Sequence, residues 1–244
     1  MTDKILLRRV LSTGRSSPVC SMFLELGLIP PLFIIKARKI MYLHYLLTLD
    51  QSQLLYKIFD AQRRSPVKND WYVEVKSDLE EFGLIMDDED IKITKKATFK
   101  EQVKQACKQS AFNYLLKEKM KVESKMGKLK YEELKMKEYL STNLISTKHK
   151  KLLYSLRTRM TNLPYNRGVK SMCSLCKDIE KEEQLLNQEH LLLCQKLKNE
   201  VIEIRQNNTV IYDDIFSENI EKMNRAAKLF EKAINTREKL IQNM

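Results

Sequence analysis

Apolar residues recur at every third or fourth position along most of the chain, which is the spacing of amphipathic α-helices. With only 5 Gly and 5 Pro in 244 residues, the composition favours long helices over a β-sandwich. The pattern predicts an all-α protein. Its helices are expected over residues 3–11, 17–27, 32–49, 50–64, 71–82, 94–125, 131–140 and 147–160, in the metal motif on to about 205, and over 217–242.

Three of these helices carry apolar residues at positions that we expect to face a core. In the helix that Asp50 is expected to cap, these positions are Leu54, Leu55, Ile58 and Phe59. In the long basic helix over 94–125, they are Phe99, Val103, Ala106, Phe112, Leu115 and Leu116. In the last helix, they are Ile220, Met223, Ala227, Phe230 and Ile234.

Glycine, proline and asparagine mark the breaks between these segments. Gly27 and Gly83 are expected to end helices, Gly127 to break the long basic helix, residues 162–169 to form a linker, and Asn207-Asn208 to form a turn. These breaks predict four regions. They are a helical domain at 1–83, a basic helical domain at 84–169, a metal-binding module at 170–206 and a C-terminal helix at 207–244.

The strongest chemical signal lies between Cys173 and Cys194. Cys173 and Cys176 enclose two residues, so a tight turn can aim both thiolates at one point. His190 and Cys194 are four apart and share one face of a helix. Three cysteines and one histidine make the closed ligand set of a structural zinc site, with no position left for a catalytic water. Ordinary packing of buried cysteines is the alternative, but this spacing favours zinc.

The positive charge of the chain is concentrated in one region. The whole sequence carries +12, and residues 96–172 hold 19 Lys and Arg against 6 Asp and Glu. Residues 173–244, by contrast, hold 11 basic against 13 acidic residues. Such an excess favours a polyanionic partner, most simply RNA or DNA, over a basic surface that only meets solvent.

Lysine and arginine side chains on helices can contact phosphates without reading the base sequence. Two clusters are candidates for this contact, and each matters as a set more than as single residues. They are Lys36, Arg38 and Lys39 on one helix, and Lys148, Lys150, Lys151, Arg157 and Arg159 on another.

Cysteine usage and hydropathy predict where the protein resides. Of five cysteines, an odd number, three are assigned to the metal, so we expect a reducing compartment, nuclear or cytoplasmic, and no secretion. No signal-peptide pattern precedes the first helix. The longest apolar stretch, 22–35, contains Glu25 and Pro30-Pro31 and is too short to cross a bilayer, so we expect no membrane partner.

Four segments of the chain, in this order, resemble a known family. They are Leu26-Gly27-Leu28-Ile29-Pro30 running on through Phe33 to His44, then Ala61 to Trp71, then Leu153 to Met160, and the Cys173–Cys194 motif. Together they resemble the C-terminal part of non-LTR (LINE-type) retrotransposon polyproteins, after the reverse-transcriptase palm. The resemblance spans about residues 3–244, and the order of the segments carries it.

The resemblance implies a thumb-like helical bundle in 1–83 that grips a template–primer duplex. It also implies a zinc knuckle that helps to position RNA or DNA, and a remaining polyprotein as a partner. The chain departs from the family where catalysis would occur. Tyr212-Asp213-Asp214 lacks the residue between the tyrosine and the aspartates of an aromatic-X-Asp-Asp turn, and it follows the zinc motif, so we interpret it as a helix start. We therefore expect a fragment without a palm, which is not an enzyme.

Three other functions stay open on sequence grounds. The chain is compatible with a helical protein–protein interaction module in which zinc only joins two helices. A domesticated nuclear zinc protein with a new partner would give the same sequence pattern. An enzyme is least favoured, because the sequence shows no Gly-rich phosphate loop, no carboxylate dyad and no Cys/His pair outside the knuckle. For the same reason we expect no small-molecule substrate.

Overall fold

A computed structural model describes residues 2–11, 17–67, 70–122, 126, 128–159, 161, 173–176, 188–201 and 212–243. The fold is all-α, as the apolar spacing predicts. The helices are α1 (Thr2–Leu11), α2 (Val19–Leu26), α3 (Pro31–Leu47), α4 (Leu54–Arg64), α5 (Trp71–Glu81), α6 (Asp88–Ile93), α7 (Lys96–Met120), α8 (Glu138–Ser141), α9 (Thr147–Arg157), α10 (Gln188–Leu193), α11 (Gln195–Glu200) and α12 (Ile220–Gln242).

The chain folds as two compact units, one formed by residues 27–118 and the other by residues 1–26 together with 119–244. This division differs from the predicted boundaries after residues 83, 169 and 206. No local feature of the sequence signals it, because α2 packs with residues more than a hundred positions later. Lys137 donates its backbone N–H to the Glu25 carbonyl at 2.9 Å, and Tyr139 donates its hydroxyl to the Glu25 carboxylate.

In the 27–118 unit, α3 and α5 lie side by side and run in opposite directions. Lys36 pairs with Glu81 and Asp78 near one end, and Lys39 pairs with Glu74 and Asp78 further along. The fully buried side chains of this unit come from α3, α5, α6 and α7; they include Ile40, Leu43, Leu79, Ile91, Phe99 and Leu115. On α7 the buried face includes Cys107, whereas the predicted Ala106 and Leu116 are only half-buried.

In the other unit, α12 supplies five of the thirteen buried residues of one core, more than any other described helix. Met223, Ala227 and Phe230 are buried there, as predicted. Ile220 is partly buried against the same core, whereas Ile234 is partly buried against a second cluster that includes Leu191 and Leu197. Leu153 and Leu156 of α9 pack in the first core. The spacing of these α12 residues repeats at three and four positions, so one face of the helix is continuously apolar.

The helix predicted over 50–64 begins later, at Leu54. The Asp50 carboxylate accepts the Ser52 backbone N–H at 2.7 Å, so it stabilises a turn and does not cap the helix. The predicted inward face is also wrong for three of its four residues. Phe59 is buried, whereas Leu54, Leu55 and Ile58 are 74%, 40% and 60% exposed.

The helix predicted over 131–140 is wrong for most of its length, because only Glu138–Ser141 is helical. Met136 forms an isolated antiparallel bridge with Leu26, and the next residue bonds to Glu25. The backbone of Met136 and Lys137 therefore pairs with the end of α2, and a helix through these residues would remove those bonds.

Other predicted boundaries move by a few residues, and some lie outside the described residues. Helix α7 ends at Met120, α9 ends at Arg157, and α12 begins at Ile220. Gly127, the linker at 162–169, the Asn207-Asn208 turn and the continuation of the knuckle helix to 205 lie outside the described residues. Within the part of the chain that is described, no single helix has the length and apolar composition needed to cross a bilayer.

Candidate metal centre and basic surface

Cys173, Cys176, His190 and Cys194 converge on one point, as their spacing predicts. One ligand atom from each lies within 4.8 Å of the others, and all four side chains are buried. The Cys176 Sγ atom is 3.4 Å from His190 Nε2 and 3.3 Å from Cys194 Sγ. At such distances one metal ion can bind all four atoms.

Two short pieces of backbone hold the ligands in position. Residues 173–176 form a turn in which the Cys176 N–H donates to the Cys173 carbonyl at 3.1 Å. His190 lies in α10, and the Cys194 N–H donates to the His190 carbonyl at 2.8 Å, so one helical turn brings these two side chains together. Both features are local, which explains why sequence spacing alone could predict them.

An apolar layer surrounds the four side chains. Leu175, Leu191 and Leu197 are each no more than 1% exposed and pack with the three cysteines. Ile234 and Leu240 of α12 pack against this cluster. The centre therefore joins α10 and α11 to α12. An apolar layer of this kind would also keep water away from a metal bound by the four side chains.

The thiols of the centre affect one another's protonation. A hydrogen bond with Cys194, together with burial, raises the pKa of Cys173 to about 11. The same hydrogen bond lowers the pKa of Cys194, because its thiolate is the acceptor. Cys194 therefore loses its proton more readily than an ordinary cysteine, and thiolates are the form in which cysteines bind metal.

The predicted cluster on α3 is mostly occupied by internal ion pairs. Lys36 contacts Asp78 at 3.1 Å and also Glu81, and Lys39 contacts Asp78 at 2.7 Å and Glu74 at 2.6 Å. Arg38, between them, is exposed and forms no ion pair with any described residue. Only Arg38 of this set presents an uncompensated charge.

The predicted cluster on α9 separates into surface and interior residues. Lys148 pairs with Glu231, whereas half-exposed Lys150 and Lys151 have no acidic partner in the part of the chain that is described. Arg159 follows the helix with a φ of 53° and is half-buried. Arg157 is only 6% exposed, and its guanidinium is bonded to Glu25 and the Ile215 carbonyl. This side chain is therefore not available to contact a phosphate.

Sequence reasoning missed a row of lysines on α7. Lys96, Lys100, Lys104 and Lys108 follow one another at intervals of four, and all four are exposed. Each step is about 6 Å along the helix, so the row is about 18 Å long. Like charges four residues apart weaken a helix. A spacing that destabilises the helix and is still repeated along it indicates a binding surface, and this signal could have identified the row.

The aspartates of Tyr212-Asp213-Asp214 have separate partners. Asp214 is buried and bonded to Arg225 at 2.7 Å, whereas exposed Asp213 lies 3.6 Å from Lys128. The three residues are helical and their helix ends at Asp214, whereas its beginning lies outside the described residues, so their interpretation as a helix start stays a prediction. Comparisons with protein-family models, curated proteins and solved structures find no match for this chain.

Proposed function

We propose that this protein binds nucleic acid, has no catalysis of its own, and is organised around a structural zinc ion. The observation that carries the proposal is the convergence of four buried soft ligands beside a chain segment with a large basic excess. The proposal includes descent from a LINE-type reverse transcriptase without its palm. The order of the four resembling segments supports that origin, and palm motifs encoded upstream in the same reading frame would test it.

Zinc suits the ligand set better than other metals. Three thiolates and one imidazole in a closed site are typical of structural zinc, whereas Mg²⁺ and Ca²⁺ prefer oxygen ligands. Zn–S bonds of about 2.3 Å give a tetrahedron with edges of about 3.8 Å. Cys176 Sγ lies 3.3 Å from Cys194 Sγ and 3.4 Å from His190 Nε2, slightly less than this edge, and no two ligand atoms are more than 4.8 Å apart.

The zinc would act by holding structure together. Residues 173–176 and helices α10 and α11 are short, and helices of this length are not stable by themselves. Binding of the ion would fix them to each other and to Ile234 and Leu240 on α12.

The nucleic-acid contact would come from basic residues that form no ion pair within the described part of the chain, five of which lie in the predicted clusters or the lysine row. These are Arg38 on α3, Lys150 and Lys151 on α9, and Lys96 and Lys100 of the lysine row. Helical lysines meet phosphates as point charges and carry little base specificity. We therefore propose binding that is strong at low salt and weakly selective for sequence.

Two measurements on the full chain test the two parts of this proposal. Metal analysis of purified protein is expected to give one zinc per chain, and Cys176→Ser is expected to lose it. Fluorescence anisotropy with labelled RNA and DNA duplexes is expected to show that the logarithm of the affinity falls linearly with the logarithm of the salt concentration. A zinc-free wild type would reject the metal assignment, and salt-independent binding would reject the electrostatic one.

A protein-interaction module is the second candidate, and one observation favours it. Leu54, Leu55 and Ile58 form an exposed apolar face on α4, and exposed apolar patches often mark contacts with other proteins. Replacing Leu54 and Ile58 with Lys would leave nucleic-acid affinity unchanged or increase it, but would abolish association with a protein partner. The pair of readouts therefore distinguishes the two candidates.

A further inference from the structure

Two exposed tyrosines on α3 form an aromatic cluster with the only tryptophan of the chain. Tyr42 and Tyr45 are 45% and 47% exposed, and their rings stack with centroids 5.7 Å apart at an interplanar angle of 26°. Trp71, at the start of α5, contacts the Tyr42 ring edge-on with centroids 5.6 Å apart. Three aromatic rings thus lie together at the surface of the 27–118 unit, where burial does not explain them.

Arg38 extends this cluster by one helical turn. It lies four residues before Tyr42 and seven before Tyr45, so the three side chains follow one face of α3. Helix α3 contains no acidic residue. The acidic side chains that α5 directs toward it are bonded to Lys36 and Lys39, and Arg38 has no ion-pair partner within the described residues.

We propose that Arg38, Tyr42, Tyr45 and Trp71, here called the aromatic face, bind unpaired nucleotides of single-stranded RNA or DNA. Bases would stack on the aromatic rings, and Arg38 would contact a phosphate of the same strand. This inference rests on the proposed nucleic-acid function and names the form of nucleic acid that this surface takes.

The chemistry of the face favours an unpaired strand over a duplex. Bases within a duplex are already stacked on one another, so their faces are closed to a protein ring. Bases of a single strand are free to stack on aromatic side chains, and this contact tolerates any sequence. Positive charge beside such rings is the usual composition of single-strand binding surfaces.

An apolar protein helix is the competing occupant, because Ile35 continues the same face and is 54% exposed. Arg38 argues against it, since it lies between Ile35 and Tyr42 along this face of α3, and a bound apolar helix would bury its charge without an anion. A phosphate supplies that anion as part of the same ligand that supplies the bases. The nucleic-acid occupant therefore satisfies the charged and the aromatic groups together.

The single tryptophan makes the test direct. Because Trp71 is the only tryptophan in 244 residues, intrinsic tryptophan fluorescence reports on the aromatic face without a label. The full chain is titrated with oligo(dT), oligo(U) and a DNA duplex of equal length, while end-labelled versions report binding anywhere on the protein by anisotropy. We expect the single strands to quench Trp71 and the duplex to leave its emission unchanged.

Two variants and a matched control locate the effect. Tyr45→Leu and Tyr42→Leu are each expected to weaken single-strand affinity at least about fivefold and to leave duplex affinity unchanged. Tyr114→Leu is the control, because Tyr114 is 45% exposed in the same unit but packs against Phe33. Arg38→Gln is expected to reduce the slope of log affinity against log salt by about 0.7, the value for one single-strand phosphate.

The outcomes separate this inference from the proposed function. Single-strand binding by anisotropy with unchanged Trp71 emission, and with wild-type affinity in both tyrosine variants, would overturn the aromatic face and leave the nucleic-acid function intact. Equal weakening by Tyr114→Leu would also overturn it. Absence of any binding by anisotropy would overturn the proposed function, and the aromatic face with it.

Discussion

Arg157 and Glu25 form an ion pair inside the 1–26/119–244 unit, 132 positions apart in sequence. Arg157 Nη2 lies 3.3 Å from Glu25 Oε1, and Glu25 is completely buried. Tyr131 and Tyr139 donate their hydroxyls to the same carboxylate at 2.6 and 2.8 Å. Burial and the negative charge of Glu25 raise the pKa of both tyrosines well above the usual value, so they remain neutral donors.

This pair predicts a large loss of stability when one partner is removed. Arg157→Met should lower the free energy of unfolding by about 3–5 kcal/mol, because it leaves a buried carboxylate without its cation. Denaturant unfolding measures the change. Lys151→Met is the matched control on the same helix, since Lys151 is half-exposed and has no acidic partner among the described residues, and it should change stability by less than about 0.5 kcal/mol.

A double variant distinguishes the pair from simple loss of packing. Glu25→Gln combined with Arg157→Met should be less destabilising than the sum of the single changes, because no unpaired charge remains. Additive effects would show that the two side chains act independently.

The sequence could predict contacts between residues that are close together along the chain, but not contacts between distant residues. The Cys176–Cys173 turn and the His190–Cys194 helical turn are local, so their spacing was sufficient to predict the metal centre. The role of Arg157 depends on Glu25, 132 positions earlier in the chain, and no periodicity could connect them. The same holds for Lys36 and Lys39, whose acidic partners lie 35 to 45 positions later on α5.

Apolar periodicity predicted that α4 exists but assigned it the wrong face. Leu54, Leu55, Ile58 and Phe59 lie within two helical turns, and a pattern of apolar residues identifies a helix without showing which residues find a partner. Phe59 is buried with its ring 6.0 Å from that of Tyr72, and the other three lie on the exposed side.

Removal of the proposed zinc ion should unfold part of one unit. Treatment with a strong zinc chelator should lower the thermal midpoint and expose Cys173, Cys176 and Cys194 to thiol reagents, because binding of the ion provides the free energy that orders their segments. Cys107→Ser provides the control, since Cys107 is buried in the 27–118 unit and bonded to the Phe33 carbonyl at 3.4 Å. It should keep the zinc, whereas Cys194→Ser should lose it. Retention of zinc by Cys194→Ser would remove this residue from the ligand set.

The 27–118 unit should lose stability in acid through Asp88. Burial alone would raise the pKa of Asp88, but hydrogen bonds from Tyr72, Lys76 and Arg63 outweigh it and lower the pKa. Because the pKa of Asp88 is lower in the folded state, this stabilisation is complete at pH values above 3.8, the pKa in the unfolded state. It is lost as the pH falls through the folded-state pKa. Asp88→Asn should therefore reduce stability at pH 7 and flatten the acid limb of an unfolding curve measured against pH.

The hydrogen bond between Tyr72 and Asp88 also predicts an alkaline limb. Burial and the Asp88 carboxylate raise the pKa of Tyr72 from 10.0 to about 12. Because the folded pKa is the higher one, this contribution is complete below pH 10 and is lost as the pH rises toward 12. Tyr72→Phe should remove that part of the alkaline dependence while leaving a folded protein at neutral pH. An unchanged alkaline limb in Tyr72→Phe would assign the loss to other groups.

Two double lysine variants should distinguish lysines that bind nucleic acid from lysines that stabilise the fold. Lys96 and Lys100 on α7 have no acidic partner within the described residues, whereas Lys36 and Lys39 on α3 are bonded to Glu74, Asp78 and Glu81. Changing either pair to Gln removes two positive charges, so the two double variants are matched in net charge. Any difference between them reflects where the charges lie.

Lys96→Gln with Lys100→Gln should reduce the slope of log duplex affinity against log salt by about 1.8, at about 0.9 for each phosphate that is no longer neutralised. Its unfolding free energy should stay the same or rise slightly, because repulsion four residues apart is relieved. Lys36→Gln with Lys39→Gln should keep the wild-type slope but lose stability, because Asp78 is 4% exposed and would remain buried without a cation. Equal slopes in both double variants would show that the lysine row of α7 faces solvent only, and the phosphate-binding residues would then be sought at Lys150 and Lys151.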